Sequence, residues 1–235
     1  MPLYLLPNVF DDNQSPALLL PSGLKDIVIN LDGLIAESER SGRRYLLKIT
    51  EKDPRAREIP IFLLNEHNKD ASEAISLISQ GKMIGLVSDA GMPGVADPGA
   101  EVVSALRQKG VRDIHAIPGP SSILLALVLS GLGGQRFSFH GYLPRELRSR
   151  QKMLRQLEKE SRQQKMTQIC IEAPYRNKAL FTDCLAILDD STELAVAKNL
   201  TFSDERVEVK SIGEWKRCRQ DPLGKEPMVF LFVAR

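Results

Sequence analysis

Short apolar runs alternate along the chain with longer segments whose apolar residues recur every three to four positions. The short runs predict buried strands and the longer segments predict amphipathic helices. Residues 3–7 read as a first strand. Residues 16–30, with Leu18, Leu19, Leu20, Leu24 and Ile27, read as a helix interrupted near Pro21. An apolar run at 34–36 follows, then a helix over 39–49 rich in arginine, then a strand at 61–64. Asp70 is placed to cap the next helix, with Glu73 at the capping-box position, Ala74, Ile75, Leu77 and Ile78 on the apolar face, and Gly81 as the stop. A strand at 84–87 comes next. Asp97 then reads as a helix cap with Pro98 at the first helical position, Val102, Val103 and Leu106 inward, and Gly110 as terminator. After a strand at 114–117, a helix starts at Ser121 or Ser122. It is apolar nearly all round through Leu129, which predicts a central position.

The pattern changes beyond residue 133. Phe137, Phe139 and Tyr142 predict a strand, followed by a long polar helix at about 146–163. A strand at 168–171, a helix at about 176–188 with Phe181, Cys184, Leu185 and Leu188 inward, a strand at 194–197 and a last strand at 228–233 complete the chain. Alternation of strand and helix argues for an α/β protein with a mainly parallel sheet covered on both faces. Pro118-Gly119-Pro120 marks a boundary, giving an N-terminal α/β domain over 1–117 and a C-terminal α/β domain over 118–235.

Composition narrows the class. The 235 residues are 43% hydrophobic and 26% charged, with a net charge of +2, which suits a globular protein and excludes a disordered one. No apolar run approaches the length of a membrane span, and Met1-Pro2-Leu3-Tyr4 lacks the positive start of a secretory signal, so a cytoplasmic protein is expected. Cys170, Cys184 and Cys218 show no CxxC spacing and read as reduced thiols. His67, His115 and His140 are scattered without metal-ligand spacing, so no metal is expected. The near-neutral total conceals segregation. Residues 40–57 carry Arg40, Arg43, Arg44, Lys48, Lys52, Arg55 and Arg57 against Glu51 and Asp53. Residues 145–165 carry eight cations against three acids. Each stretch nets +5, enough to hold a nucleic-acid backbone, although no base-stacking aromatics are interleaved.

Two loops are candidates for chemistry. Residues 88–99, Ser-Asp-Ala-Gly-Met-Pro-Gly-Val-Ala-Asp-Pro-Gly, join a buried strand to a helix. Their glycines allow a ligand close approach to the main chain at the carboxyl end of a strand, where α/β sheets bind ligands. Residues 117–122, Ile-Pro-Gly-Pro-Ser-Ser, occupy the same position after the next strand, suited to a carboxylate or ribose. Glu37 and Arg40 stand at i, i+3, with Arg40, Arg43 and Arg44 on one helical face as a candidate phosphate edge. His67 and Asn68 lie in Asn65-Glu66-His67-Asn68 after a strand. The Rossmann GxGxxG, the P-loop and the GxSxG elbow are all missing, which argues against dinucleotide enzymes, nucleotide hydrolases and serine hydrolases.

The strings SDAGMPGVADPG, IPGPSS, NEHN, GYLPR and EAPYR, in that order, resemble the tetrapyrrole methylase superfamily, and within it the ribosomal RNA small-subunit methyltransferase I branch, which 2′-O-methylates a cytidine. The resemblance runs along nearly the whole chain. It implies a two-domain α/β fold, mainly parallel in the N-terminal sheet and mixed in the C-terminal one, with a ligand cleft between them. It implies S-adenosylmethionine as cofactor, methyl transfer as activity, RNA as substrate and a homodimer. Carried over by position, Gly91, Met92, Pro93, Val95, Ser121, Ser122, Ala173, Pro227 and Met228 would bind the cofactor, and Glu37, Arg40 and His67 would be catalytic, with Asn68 beside them.

This chain departs from the family pattern in places. Leu6-Pro7-Asn8-Val9-Phe10-Asp11-Asp12 stands where the family has a motif close to TPIGNLED, Met92 replaces a threonine, and 37–43 keep only an E-x-x-R-x-x-R spacing. A small-molecule methylase of the same superfamily and a non-catalytic module binding S-adenosylmethionine or RNA are the alternatives.

Overall fold

The structure is a computed structural model. It describes residues 2–65, 67–68, 70–218 and 223–234. The chain divides into two compact units, 1–121 and 122–235.

In the first unit the elements run β1 (Leu3–Leu6), α1 (Pro16–Leu19), α2 (Leu24–Val28), β2 (Gly33–Ala36), α3 (Glu39–Ile49), β3 (Ile61–Leu63), α4 (Ser72–Ser79), β4 (Ile84–Val87), α5 (Ala100–Gln108) and β5 (Ile114–Ala116). The five strands form one parallel sheet in the order β3-β2-β4-β1-β5. Helices α1, α2 and α3 pack on one face through Leu20, Leu24, Val28, Leu46 and Ile49. Helices α4 and α5 cover the other through Ala74, Ile78, Val102 and Leu106. The connections leaving β1 and β2 therefore turn to one face and those leaving β3 and β4 to the other. Neighbours β1 and β4 send their chains to opposite sides, which opens a crevice at their carboxyl ends.

Two predicted caps are placed differently. Asp70 stands one residue before the N-cap of α4, which is Ala71, and its Oδ1 accepts the Ser72 amide at 2.8 Å. Asp97 does not cap α5. That helix starts after Gly99, whose φ of +132° turns the chain into it, and the Gly99 amide is held by Glu101.

The second unit contains α6 (Ser122–Ser130), β6 (Phe137–Tyr142), α7 (Leu147–Gln164), β7 (Thr167–Glu172), α8 (Asn177–Ile187), β8 (Glu193–Lys198), β9 (Arg206–Ser211), α9 (Ile212–Arg217) and β10 (Met228–Val233). Its sheet is mixed, in the order β6-β7-β10-β8-β9. Only β6 and β7 run parallel; the other neighbours are antiparallel. Helices α7, α8 and α9 pack on one face around Phe230 and Phe232, while α6 lies on the other face against Ile169, Val229 and Leu231. Helix α6 is thus not enclosed. Ile123, Ala126 and Leu127 are buried, but Leu124, Val128 and Leu129 face outward, with Val128 78% exposed.

Buried polar bonds fix the rotation of α7. The Arg150 guanidinium donates to Asp183 of α8 at 2.6 Å and to the carbonyl of Arg145, and Gln151 donates to the other Asp183 oxygen. Two turns further on, Glu158 accepts from the Asp189 amide and the Thr192 hydroxyl. Ser161 then joins Met166 and Ala234. Removing one partner of a buried pair strands a charge in the interior and costs about 3–5 kcal/mol. Asp183→Ala is expected to lower the unfolding free energy by about that amount in urea titration, and a loss under about 1 kcal/mol would show that the pair does not hold α7.

Candidate functional site

Because the first sheet is parallel, the chain segments after all five strands leave from one edge. β1 leads into Pro7 and Asn8, β2 into Glu37, β3 into Asn65, His67 and Asn68, β4 into 88–99, and β5 into 117–121. Both candidate loops and all the polar candidates of the first unit except Arg40 belong to these segments.

Hydrogen bonds join the segments to one another. Asn8 and Gly91 form a two-way backbone bridge, amide to carbonyl at 2.8 and 3.1 Å. The Asn8 Nδ2 donates to the carbonyls of Ser88 and Asp89. The Glu37 Oε1 accepts the Asp89 amide at 2.9 Å. Asn65 Nδ2 donates to the Glu37 carbonyl, and Asn65 Oδ1 accepts the amides of His67 and Asn68. The start of the 88–99 loop is therefore held from β1 and β2 together, and β3 is tied to β2.

Glycine geometry closes the arrangement. Gly91 has φ of +69°, and a Cβ there would lie 3.0 Å from the Phe10 ring and 3.4 Å from the Pro120 carbonyl. At Gly119 a Cβ would fall 2.0 Å from that of Pro7, so only glycine lets the 117–121 segment rest on the end of β1. The altered first motif keeps a structural task, since Pro7, Asn8 and Phe10 all contact the two loops.

A carboxylate cluster sits at the same edge. The Asp97 carboxyl is pushed up to about 6 by its burial, then by the Glu37 carboxylate, with a smaller push from Asp89; the Ser88 hydroxyl pulls the other way. The pattern of Asp-Pro before a helix signals a cap, and that signal hides this role. The bulge of the loop is nearer the surface. Gly94 has φ of +82°, and Val95 leaves 49% of its surface exposed. Arg40, in the first turn of α3, is exposed and makes no ion pair among the described residues.

The first basic stretch is engaged inside its own unit. Arg43 donates to the carbonyls of Ala56, Arg57 and Ile59 and pairs with Glu39. Arg44 pairs with Asp12, Lys48 donates to the Asp12 carbonyl, and Arg55 pairs with Asp53. The expected phosphate edge of Arg40, Arg43 and Arg44 is thereby reduced to Arg40. A separate half-open cavity of about 320 Å³ among Leu20, Leu24, Lys25, Lys48 and Glu51 includes none of the candidate residues.

In the second unit the structure brings Ala173, Pro227 and Met228 to one corner. Met228 pairs with Glu172 across the β7–β10 ladder, Ala173 follows Glu172, and the Pro227 carbonyl accepts the Asn199 amide. Asn177 belongs to this corner and escaped the sequence reading, although it directly follows the EAPYR string. Its side chain is fully buried; Nδ2 donates to the Glu226 carbonyl, while Oδ1 has no partner among the described residues. Glu172 and Arg176 form an ion pair at 2.8 Å beside it. Ser122 opens α6. Among the described residues no cluster of three metal-ligating side chains occurs, and no helix is long and apolar enough to cross a membrane.

The family model of the tetrapyrrole (corrin/porphyrin) methylases matches residues 26–216. The chain belongs to this family. A Synechocystis protein named ribosomal RNA small subunit methyltransferase I is 38% identical over 149 residues, 63% of this chain and 52% of that protein. Its namesake from Thermotoga maritima is 33% identical over 187 residues, 76% of this chain and 78% of that protein. This chain spans about half the length of the Synechocystis relative. Among solved structures, a cobalt precorrin-4 methyltransferase superposes with a TM-score of 0.59 at 16% identity, covering 99% of this chain and 94% of that one. Diphthine synthase gives 0.63 at 14%, covering 99% and 89%. These two establish the fold, an α/β pair of a parallel and a mixed sheet. S-adenosylmethionine is the cofactor that goes with the family.

The Asp97 shift has a measurable consequence. Its folded value lies above the ordinary 3.8, so its contribution to stability is complete below pH 3.8 and is lost as pH rises through about 6. The wild-type unfolding free energy minus that of Asp97→Asn should fall across this window and level off above it. A difference that rises with pH, or stays flat, would contradict the cluster.

Proposed function

We propose that the protein is an S-adenosylmethionine-dependent methyltransferase that 2′-O-methylates ribose in ribosomal RNA. The observation that carries the reading is the 88–99 loop, pinned by Asn8 and Glu37 at the carboxyl edge of a family-type sheet. The names of the relatives support the RNA acceptor. The cofactor residues are Gly91, Met92, Pro93, Val95 and Ser121 in the first unit and Ser122, Ala173, Pro227 and Met228 in the second. The chain fits such a ligand in two respects. The exposed Gly94 and Val95 offer a small apolar surface beside the buried Gly91 and Pro93, and Asn177 Oδ1 is a buried acceptor without a donor among the described residues.

S-adenosylmethionine supplies an electrophilic methyl group on a sulfonium. The protein has to align the acceptor, exclude water and take the hydroxyl proton. Glu37 is the base best held, because its Oε1 is fixed by the Asp89 amide at the end of a buried strand. His67 is the second candidate; its main chain is fixed by Asn65 and its residue is exposed. Arg40 places a cation at the same edge, suited to the acceptor's phosphate. The protein is proposed to act in the cytoplasm as a homodimer, a reading supported by the exposed Leu124, Val128 and Leu129 of α6 and contradicted by a monomer mass in light scattering.

Calorimetric titration with S-adenosylhomocysteine should show binding, and Ser121→Trp should abolish it. Labelled methyl groups should then pass to total RNA and appear as a 2′-O-methylated nucleoside after digestion. Glu37→Ala or His67→Ala should slow turnover by about 10²–10⁴-fold. Binding without transfer to RNA would overturn the acceptor, and full turnover in both variants would overturn the bases.

A further inference from the structure

The two basic stretches have different fates in the fold. In the first, four of the seven cations are turned onto carbonyls and carboxylates of their own unit. In the second, helix α7 sorts its charges by face. Arg150 and Glu158 point inward and are satisfied there. Arg148, Lys152, Arg155, Lys159 and Arg162 are all exposed, and none is in an ion pair among the described residues.

Their spacing is 4, 3, 4 and 3 residues. At 100° per residue this places all five within about 40° of one line along the helix, opposite the buried residues Leu154, Leu157 and Ser161. The line is about 21 Å long and carries about one cation per 5 Å turn, with no acid between them. We propose that this stripe on α7 is the docking surface for the phosphate backbone of the RNA substrate. The inference rests on the RNA reading above and goes beyond it by naming where the strand lies on the second unit.

Four observations support an RNA backbone as the occupant. A polyanion with evenly spaced charges matches cations at even spacing, and each phosphate neutralised releases counterions. Gln163, exposed beside the stripe, adds a hydrogen-bonding group that suits sugar and phosphate without reading sequence, whereas Gln151 and Gln156 already donate to Asp183 and Glu160. The apolar face of α7 is committed to the core, so the helix has no apolar surface left to enter a lipid interface. A protein partner would need a buried aromatic or apolar anchor, and the stripe presents none. The Arg150–Asp183 pair and the Glu158 bonds hold α7 in a single rotation, so the stripe is presented as a rigid row.

The test uses the full chain, a single-stranded cytidine-rich RNA of about twenty nucleotides and fluorescence anisotropy across a salt series. The plot of log affinity against log salt should be steep for the wild type. The triple variant Lys152→Gln, Arg155→Gln, Lys159→Gln should bind at least about tenfold more weakly at 0.1 M salt, with the slope shallower by about 2, from about 0.7 per lost phosphate contact on a single strand. Lys52→Gln, Arg55→Gln, Arg57→Gln is the matched control from the first stretch and should keep the wild-type slope. Thermal melting and S-adenosylhomocysteine binding should be unchanged in both variants. If the wild type binds RNA and the α7 variant keeps its slope, the stripe is wrong and the RNA reading stands. If the wild type fails to bind RNA, or binds phosphatidylserine vesicles through the stripe instead, both are overturned.

Discussion

Strands β1 and β4 lie side by side in a parallel sheet, yet the chain leaves them toward opposite faces. The crevice this creates would expose the main chain of the 88–99 loop to collapse or drift. Asn8 prevents both, because its backbone pairs with Gly91 and its side-chain amide donates to the carbonyls of Ser88 and Asp89. Glu37 completes the hold from β2 by accepting the Asp89 amide. With its entry fixed, the loop carries Gly94 and Val95 outward, the surface proposed for the cofactor, while Asp97 turns back toward Ser88 and Glu37. Gly119 resting on Pro7 then places the 117–121 segment against the same strand end.

The second unit uses buried polar bonds for a different end. Its core would accept α7 in more than one rotation, since Leu154 and Leu157 alone define a broad face. Arg150 on Asp183, Glu158 on Thr192 and Ser161 on Ala234 are each satisfied in one rotation only. That choice turns every unpaired cation of the helix to solvent. Near-neutral net charge therefore coexists with a concentrated positive row, because most cations of the first basic stretch are engaged within their own unit while those on the outer face of α7 are not.

Much of the fold was legible in the sequence. Helix α3 spans Glu39–Ile49, as its spacing predicts, because Tyr45, Leu46 and Ile49 meet the core at helical intervals under a Ser38 cap. Strand β4 is an apolar run bounded by turn residues. The misreadings share a cause, which is tertiary context overriding local pattern. Asp97 has the sequence position of a cap but is drawn to a carboxylate cluster contributed by β2 and β4. Helix α6 is apolar all round, yet only one side meets a sheet. Strand β9 escaped notice because Arg206, Glu208 and Lys210 alternate with Val207 and Val209 on an edge, and Ser211 with Glu214, the capping box of α9, was the signal left unread. Within the candidate site, glycine-rich loops and the EAPYR string could be read directly. The roles of Asn8, Asp97 and Asn177 could not, since each depends on partners distant in sequence.

The proposed function requires the cofactor to rest on the 88–99 loop. Hydrogen–deuterium exchange with and without saturating S-adenosylhomocysteine measures this amide by amide. Exchange should slow in 88–97 and in 117–121, and α7 should be unaffected. No slowing in these two segments, or slowing confined to the cavity lined by Leu20, Leu24 and Lys48, would contradict it.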